Sequence, residues 1–161
     1  MIRATVAGWL RSGALMRLVH WRALVLAPLT LGVRGLLIDS QNRIFLVRHS
    51  YVGGWHLPGG SVEVGETVRQ ALARELREEC NIVVDEIPGL HGLFFNNKYS
   101  RRDHVAVFVI RRFHQTELRL PDWEITGADF FALDSLPADT TQAARRTLAE
   151  VLEGTPVREL W

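Results

Sequence analysis

Apolar and polar positions alternate with two different periods along this chain, and the change of period marks its elements. TLGVRGLLID (residues 30–39) and RIFLVRHS (43–50) are apolar runs rich in Val, Ile, Leu and Phe, separated by Ser40-Gln41-Asn42. They read as two partner strands of a hairpin. WHLPGG follows as a short strand broken by Pro58-Gly59-Gly60. From Glu66 or Thr67 to Cys80 the period becomes helical, and short strands are expected at 82–86, 90–96, 103–113 and 128–133. The last helix shows an Asp139/Gln142 capping pair and an apolar stripe of Ala143, Ala144, Leu148, Val151 and Leu152, with Gly154 to stop it. Antiparallel strands combined with two or three helices predict an α/β sandwich.

The first helix carries an anomaly. Stepping about 100° per residue, Val68, Ala71, Leu72, Leu76 and Cys80 fall in one arc, with Glu75 and Glu79 inside it and Glu78 at its edge. A solvated helix keeps its carboxylates on the opposite face. Several buried carboxylates need cations, and on these angles Arg74 and Arg77 point away from the arc. A hard divalent cation with oxygen ligands answers the need. A surface helix laced with Arg–Glu pairs is the other reading of the same spacing. The loop ahead of the helix favours the first, because Gly59-Gly60 lets backbone approach a ligand closely and feeds a helix N-terminus.

The segment Gly60 to Ile82, GSVEVGETVRQALARELREECNI, resembles the Nudix box, G-x5-E-x7-R-E-U-x-E-E-x-G-U with U a bulky aliphatic residue. Gly60, Glu66, Arg74, Glu75, Leu76, Glu78, Glu79 and Ile82 match at the right spacing, and strand order extends the resemblance over roughly 30–153. Asn81 stands where the family has Gly, and Asn is the next residue most tolerant of a left-handed helix end. The resemblance implies a Nudix-type α/β/α sandwich with a mixed, largely antiparallel sheet. It implies Mg²⁺ or Mn²⁺ on Glu75, Glu78 and Glu79 with help from the Gly59 carbonyl, and Arg74 orienting these carboxylates in partnership with Glu66. The implied reaction is attack of water on phosphorus in the diphosphate linkage of a nucleoside diphosphate carrying another group. The base stays open between box glutamates and a downstream acid, for which Glu124 in PDWEITGADFF is the first candidate and Asp122 the second. A nucleotide-sensing module of the same fold and an RNA 5′-end pyrophosphohydrolase are the alternatives.

For substrate, Lys98, Arg101 and Arg102 in KYSRR suit phosphate oxygens, with Arg48 and His49 ending the second strand. Tyr51, Trp55, Phe95 and Tyr99 could stack a base, although aromatic residues in strands usually belong to the core. His20, His56, His91, His104 and His114 lack ligand spacing and read as structural.

Composition then places these motifs in the chain. With 161 residues, 47% apolar and 23% charged, it has the balance of one soluble domain. The net charge of +1 gives no broad field for nucleic acid, but five arginines precede Asp39 without one acid. Residues 1–27 therefore read as a basic arm and 28–161 as the hydrolase domain. Ile2, Val6, Trp9, Leu10 and Met16 line one side of an amphipathic helix in that arm. Such a helix suits docking on the domain, a homodimer contact or a membrane surface. Cys80 is the single cysteine, so no intrachain disulfide forms, and a cytoplasmic setting is expected.

Overall fold

The computed structural model describes residues 28–98 and 100–161. The expectations for residues 1–27 and for Tyr99 fall outside the described residues. Among the described residues seven strands run as β1 (Thr30–Leu37), β2 (Ile44–His49), β3 (Ile82–Val84), β4 (Gly89–Phe95), β5 (Asp103–Ile110), β6 (Phe113–Gln115) and β7 (Ile125–Phe131). Helix α1 spans Val68–Cys80 and α2 spans Gln142–Leu152. β1 pairs parallel to β5, which pairs antiparallel to β4, while β2–β7 and β3–β6 form antiparallel pairs.

Period-two alternation divides the strands between two cores. Val33, Leu37, Phe45, Val47, Ala106 and Phe108 point to one side, where Ala71, Leu72 and Leu76 of α1 cover them. Leu36, Ile38, Ile44, Leu46, Val105 and Val107 point to the other, against Ala144 and Leu148 of α2. Helices thus cover both faces, as in the expected sandwich, and each fully buried Leu or Ile contributes about 2 kcal/mol through burial.

Three local expectations are corrected. β1 and β2 are not hairpin partners and share only the bridge Ile38–Ile44. The turn does form, since the Asp39 carboxylate accepts the amides of Gln41 and Arg43 at 2.9 and 2.8 Å. Both edges of β1 are nevertheless taken. β5 occupies one, and the 58–62 loop occupies the other through Gly35 N to Pro58 O, Val33 N to Gly60 O and Val62 N to Leu31 O. The strand expected over 103–113 is two strands, because the amides of Arg111 and Arg112 bond Glu86 Oε1 at 2.7 and 3.1 Å instead of a neighbouring strand. The cap of α2 is Thr141, whose hydroxyl accepts the Ala144 amide, and Asp139 lies two residues too early to serve.

Candidate active site

Two glycines shape the loop that runs beside β1. Gly59 has φ +132°, and a Cβ there would sit 2.2 Å from the Val33 carbonyl oxygen. Its amide donates to Glu79 Oε2 at 2.7 Å. At Gly60 a Cβ would sit 2.2 Å from Glu75 Oε1, so the space a side chain would fill is already taken by a carboxylate.

Helix α1 supplies those carboxylates. It opens on a capping box, in which Thr67 Oγ1 accepts the Gln70 amide and the Gln70 side chain accepts the Thr67 amide. It closes on Asn81 at φ 56°, ψ 34°, the left-handed end that the Asn-for-Gly exchange implied. Glu75 and Glu79 lie one turn apart and face the loop, with Glu79 buried. Arg74 does not point away from them as its helical angle suggested. Long side chains on a helix fold back toward its N-terminus, and this one spans Glu66 with both Nε (2.9 Å) and Nη2 (3.1 Å). Its Nη1 reaches Glu75 Oε1 at 2.8 Å and Glu78 Oε2 at 3.3 Å. Arg74 thereby joins Glu66, just ahead of the helix, to the carboxylates of Glu75 and Glu78.

The electrostatics follow from burial. Glu79 is pushed up to about 7 by desolvation, against the Gly59 amide and the Arg34 charge, which both lower it. His49 Nε2 lies 3.5 Å from Glu79 Oε1, and desolvation pushes this imidazole down to about 4. At neutral pH the His49 ring is therefore neutral, and the contact is not an ion pair. Burial also raises Glu75, with Arg74 opposing it.

These groups line a cleft of about 720 Å³, and several expected residues meet there: Gly59, Glu75, Glu79, Lys98 and Glu124. Others do not. Glu78 is exposed (62% of its side chain) beside Arg74 and outside the cleft. Arg48 points away from His49 across the strand and sits 3.4 Å from Asp139 Oδ2. Arg101 and Arg102 are exposed and off the cleft wall, the latter giving its carbonyl to the Thr30 amide. Asp122 has a structural role, its carboxylate accepting the amides of Glu124 and Ile125 at 2.8 and 2.7 Å.

The NUDIX domain family matches residues 28–151. The chain belongs to the Nudix hydrolase family. It is 33% identical over 105 residues to an ADP-ribose pyrophosphatase of Methanocaldococcus jannaschii, covering 63% of this chain and 61% of that protein. It is 32% identical over 120 residues to an NAD-capped RNA hydrolase, NudC, of Vibrio vulnificus, covering 71% of this chain and 44% of that protein. The chain thus spans less than two thirds of the length of these relatives. Among solved structures, a MutT Nudix hydrolase from Burkholderia pseudomallei aligns with TM-score 0.66 and 28% identity, covering 77% of this chain and 98% of that one. A UDP-X diphosphatase aligns with TM-score 0.63 and 26% identity, covering 84% and 68%.

Within this Nudix fold the donor set near the loop is all oxygen, two carboxylates and the Gly59 carbonyl, which fits a hard divalent cation. A cation also meets the need of Glu79, whose charge burial opposes. Among the described residues no three His, Cys, Asp or Glu side chains already converge on one point. Mg²⁺ commonly takes one or two carboxylates and completes its shell with substrate oxygens, so the fit holds.

Sequence reading passed over Arg34 in β1. Its Nη1 donates to the Gly59 carbonyl and, at 3.1 Å, to Val33 O. The available signal was a cation at a position whose period-two neighbours are Gly32 and Leu36, where an apolar face is expected. His56, read as structural, lines the cleft and holds Gly53 O at 2.9 Å through Nε2.

Proposed function

We propose that this chain hydrolyses the diphosphate linkage of a nucleoside diphosphate joined to another group, using Mg²⁺ or Mn²⁺. The observation that carries the reading is the meeting of Glu75 and Glu79 with the Gly59-Gly60 loop on the wall of a cleft that also holds Arg34 and Lys98. The names of the relatives, an ADP-ribose pyrophosphatase and an NAD-capped RNA hydrolase, support a substrate of this chemistry. Glu75, Glu79 and the Gly59 carbonyl would hold the cation, and Glu78, exposed beside Arg74, is the remaining box carboxylate of the expected set. The bound cation screens phosphate charge and lowers the pKa of water. Lys98 attracts the diphosphate, and Arg74, tied to Glu66, fixes the position of Glu75. Glu124, on the cleft wall, accepts the proton of the attacking water as the bridging P–O bond breaks, or else that proton passes to a box glutamate. We place the protein in the cytoplasm, in keeping with its single cysteine; among the described residues no helix is long and apolar enough to cross a membrane.

The test incubates the purified full chain and Mg²⁺ or Mn²⁺ with ADP-ribose, a UDP-sugar, NAD, NAD-capped RNA and 5′-triphosphorylated RNA. Cleavage of a diphosphate in ¹⁸O-water, with label in one product phosphate, is the expected result. Tight nucleotide binding without turnover points to the sensing module. Release of pyrophosphate from RNA alone points to the 5′-end enzyme.

A further inference from the structure

We infer that Arg34 is a displaceable counter-ion, whose guanidinium donates to the Gly59 carbonyl and competes for that oxygen with an entering divalent cation. The inference rests on the metal-binding part of the proposed function and not on its substrate. Residue Gly59 faces both charges of the site. Its amide donates to buried Glu79 at 2.7 Å, and its carbonyl accepts from Arg34 Nη1. That carbonyl is the backbone oxygen nearest in role to a metal ligand, and Arg34 already covers it with positive charge. A guanidinium and a dication on one oxygen repel strongly in a half-buried site, where water screens them poorly. One of them must leave.

The side chain has somewhere to go. Arg34 is half-buried on the wall of the cleft that Lys98 and Glu124 also line, and its backbone is fixed in β1, so rotation of the side chain alone carries the guanidinium into that space. There its planar fork suits phosphate oxygens. A plain loop clamp would make a different demand: without Arg34 the loop would loosen and metal binding would weaken.

The measurement is Mn²⁺ binding to the full chain without substrate, read from the loss of the free-ion electron paramagnetic resonance signal. Arg34→Ala binds Mn²⁺ about tenfold or more tightly than the parent, the order set by removing one competing charge-assisted hydrogen bond. Equal or weaker binding overturns the inference. The parent protein supplies a second reading that needs no variant. Its Arg34 Nη resonances are resolved by restricted rotation without metal and merge when Mg²⁺ is added. Resonances that stay resolved at saturating Mg²⁺ also overturn it. If neither protein binds Mn²⁺, the inference falls together with the metal assignment. Tightened Mn²⁺ binding in a protein that cleaves none of the diphosphates leaves it standing and removes only the substrate.

Discussion

The amide of Gly59 and the carboxylate of Glu79, 20 positions apart, share one buried hydrogen bond of 2.7 Å, and through it the loop beside β1 and the last turn of α1 become one unit. The acid in this bond keeps its proton unusually well, being pushed from 4.5 to about 7 by burial. In the absence of metal Glu79 therefore keeps its proton in the folded chain between those values, where the unfolded chain has lost it. Stability from this group is full below about pH 4.5 and is lost as pH rises to about 7. Denaturant unfolding in EDTA should show the parent losing roughly 2–3 kcal/mol more than Glu79→Gln between pH 5 and 8. With Mg²⁺ and substrate the same variant should lose turnover on the order of 10²–10³ while staying folded, because an amide binds hard cations poorly. Parallel stability curves for the two proteins would contradict the buried-carboxyl reading.

The two loop glycines should fail differently. At Gly59 an added Cβ meets backbone, the Val33 oxygen at 2.2 Å, at a φ of +132° that side chains rarely adopt. Gly59→Ala should cost on the order of 3 kcal/mol or more of stability. At Gly60 the obstacle is the flexible end of Glu75. Gly60→Ala should fold with a loss of about 1 kcal/mol and still lose tenfold or more of its turnover, since a misplaced ligand costs rate more than stability. Thermal melts beside steady-state rates separate the two.

Glu124 reaches the cleft from the turn before β7, where the Ser50 amide holds its carbonyl at 2.8 Å. If its carboxylate receives the proton, Glu124→Gln lowers kcat about 10²-fold or more and removes the acidic limb of the pH–rate profile. An unchanged profile assigns the proton to the box glutamates instead.

For residues 1–27 we propose docking on the domain or on a second copy of the chain. Neither the full chain nor residues 28–161 should then bind anionic vesicles at low salt, while the two should differ in melting temperature or in mass by light scattering. Vesicle binding by the full chain alone, reversed by salt, would favour a membrane surface.

What could be read in advance, and what could not, divides by the range of the forces involved. Glu75 and Glu79 inside an apolar arc were legible because helical period is local, and so was the left-handed end at Asn81. The partners of β1 were not. The Asp39 turn looks like a hairpin in any window, and only the competition of β5 and the 58–62 loop for the edges of β1 prevents one. Arg34 was missed for a related reason, since its partner is a backbone carbonyl 25 residues away that no side-chain pattern announces. Among the basic candidates, Lys98 lines the cleft while Arg48 does not. The strand alternation that sends Phe45 and Val47 inward turns His49 to the cleft and Arg48 to Asp139.

The parallel pairing of β1 with β5 joins segments that are far apart in the chain. Thr30 meets Asp103 across 73 residues of chain, so during synthesis the first strand waits for most of the domain before its ladder can close. The 58–62 loop hangs on the opposite edge of that same strand. Until β5 arrives, the apolar side chains of β1, β2 and α1 have no complete sheet to cover, and the loop has no fixed rail. A chain without β5 should thus be both catalytically blank and prone to self-association. A chain truncated before Asp103 should gather on chaperones instead of forming a partly active enzyme.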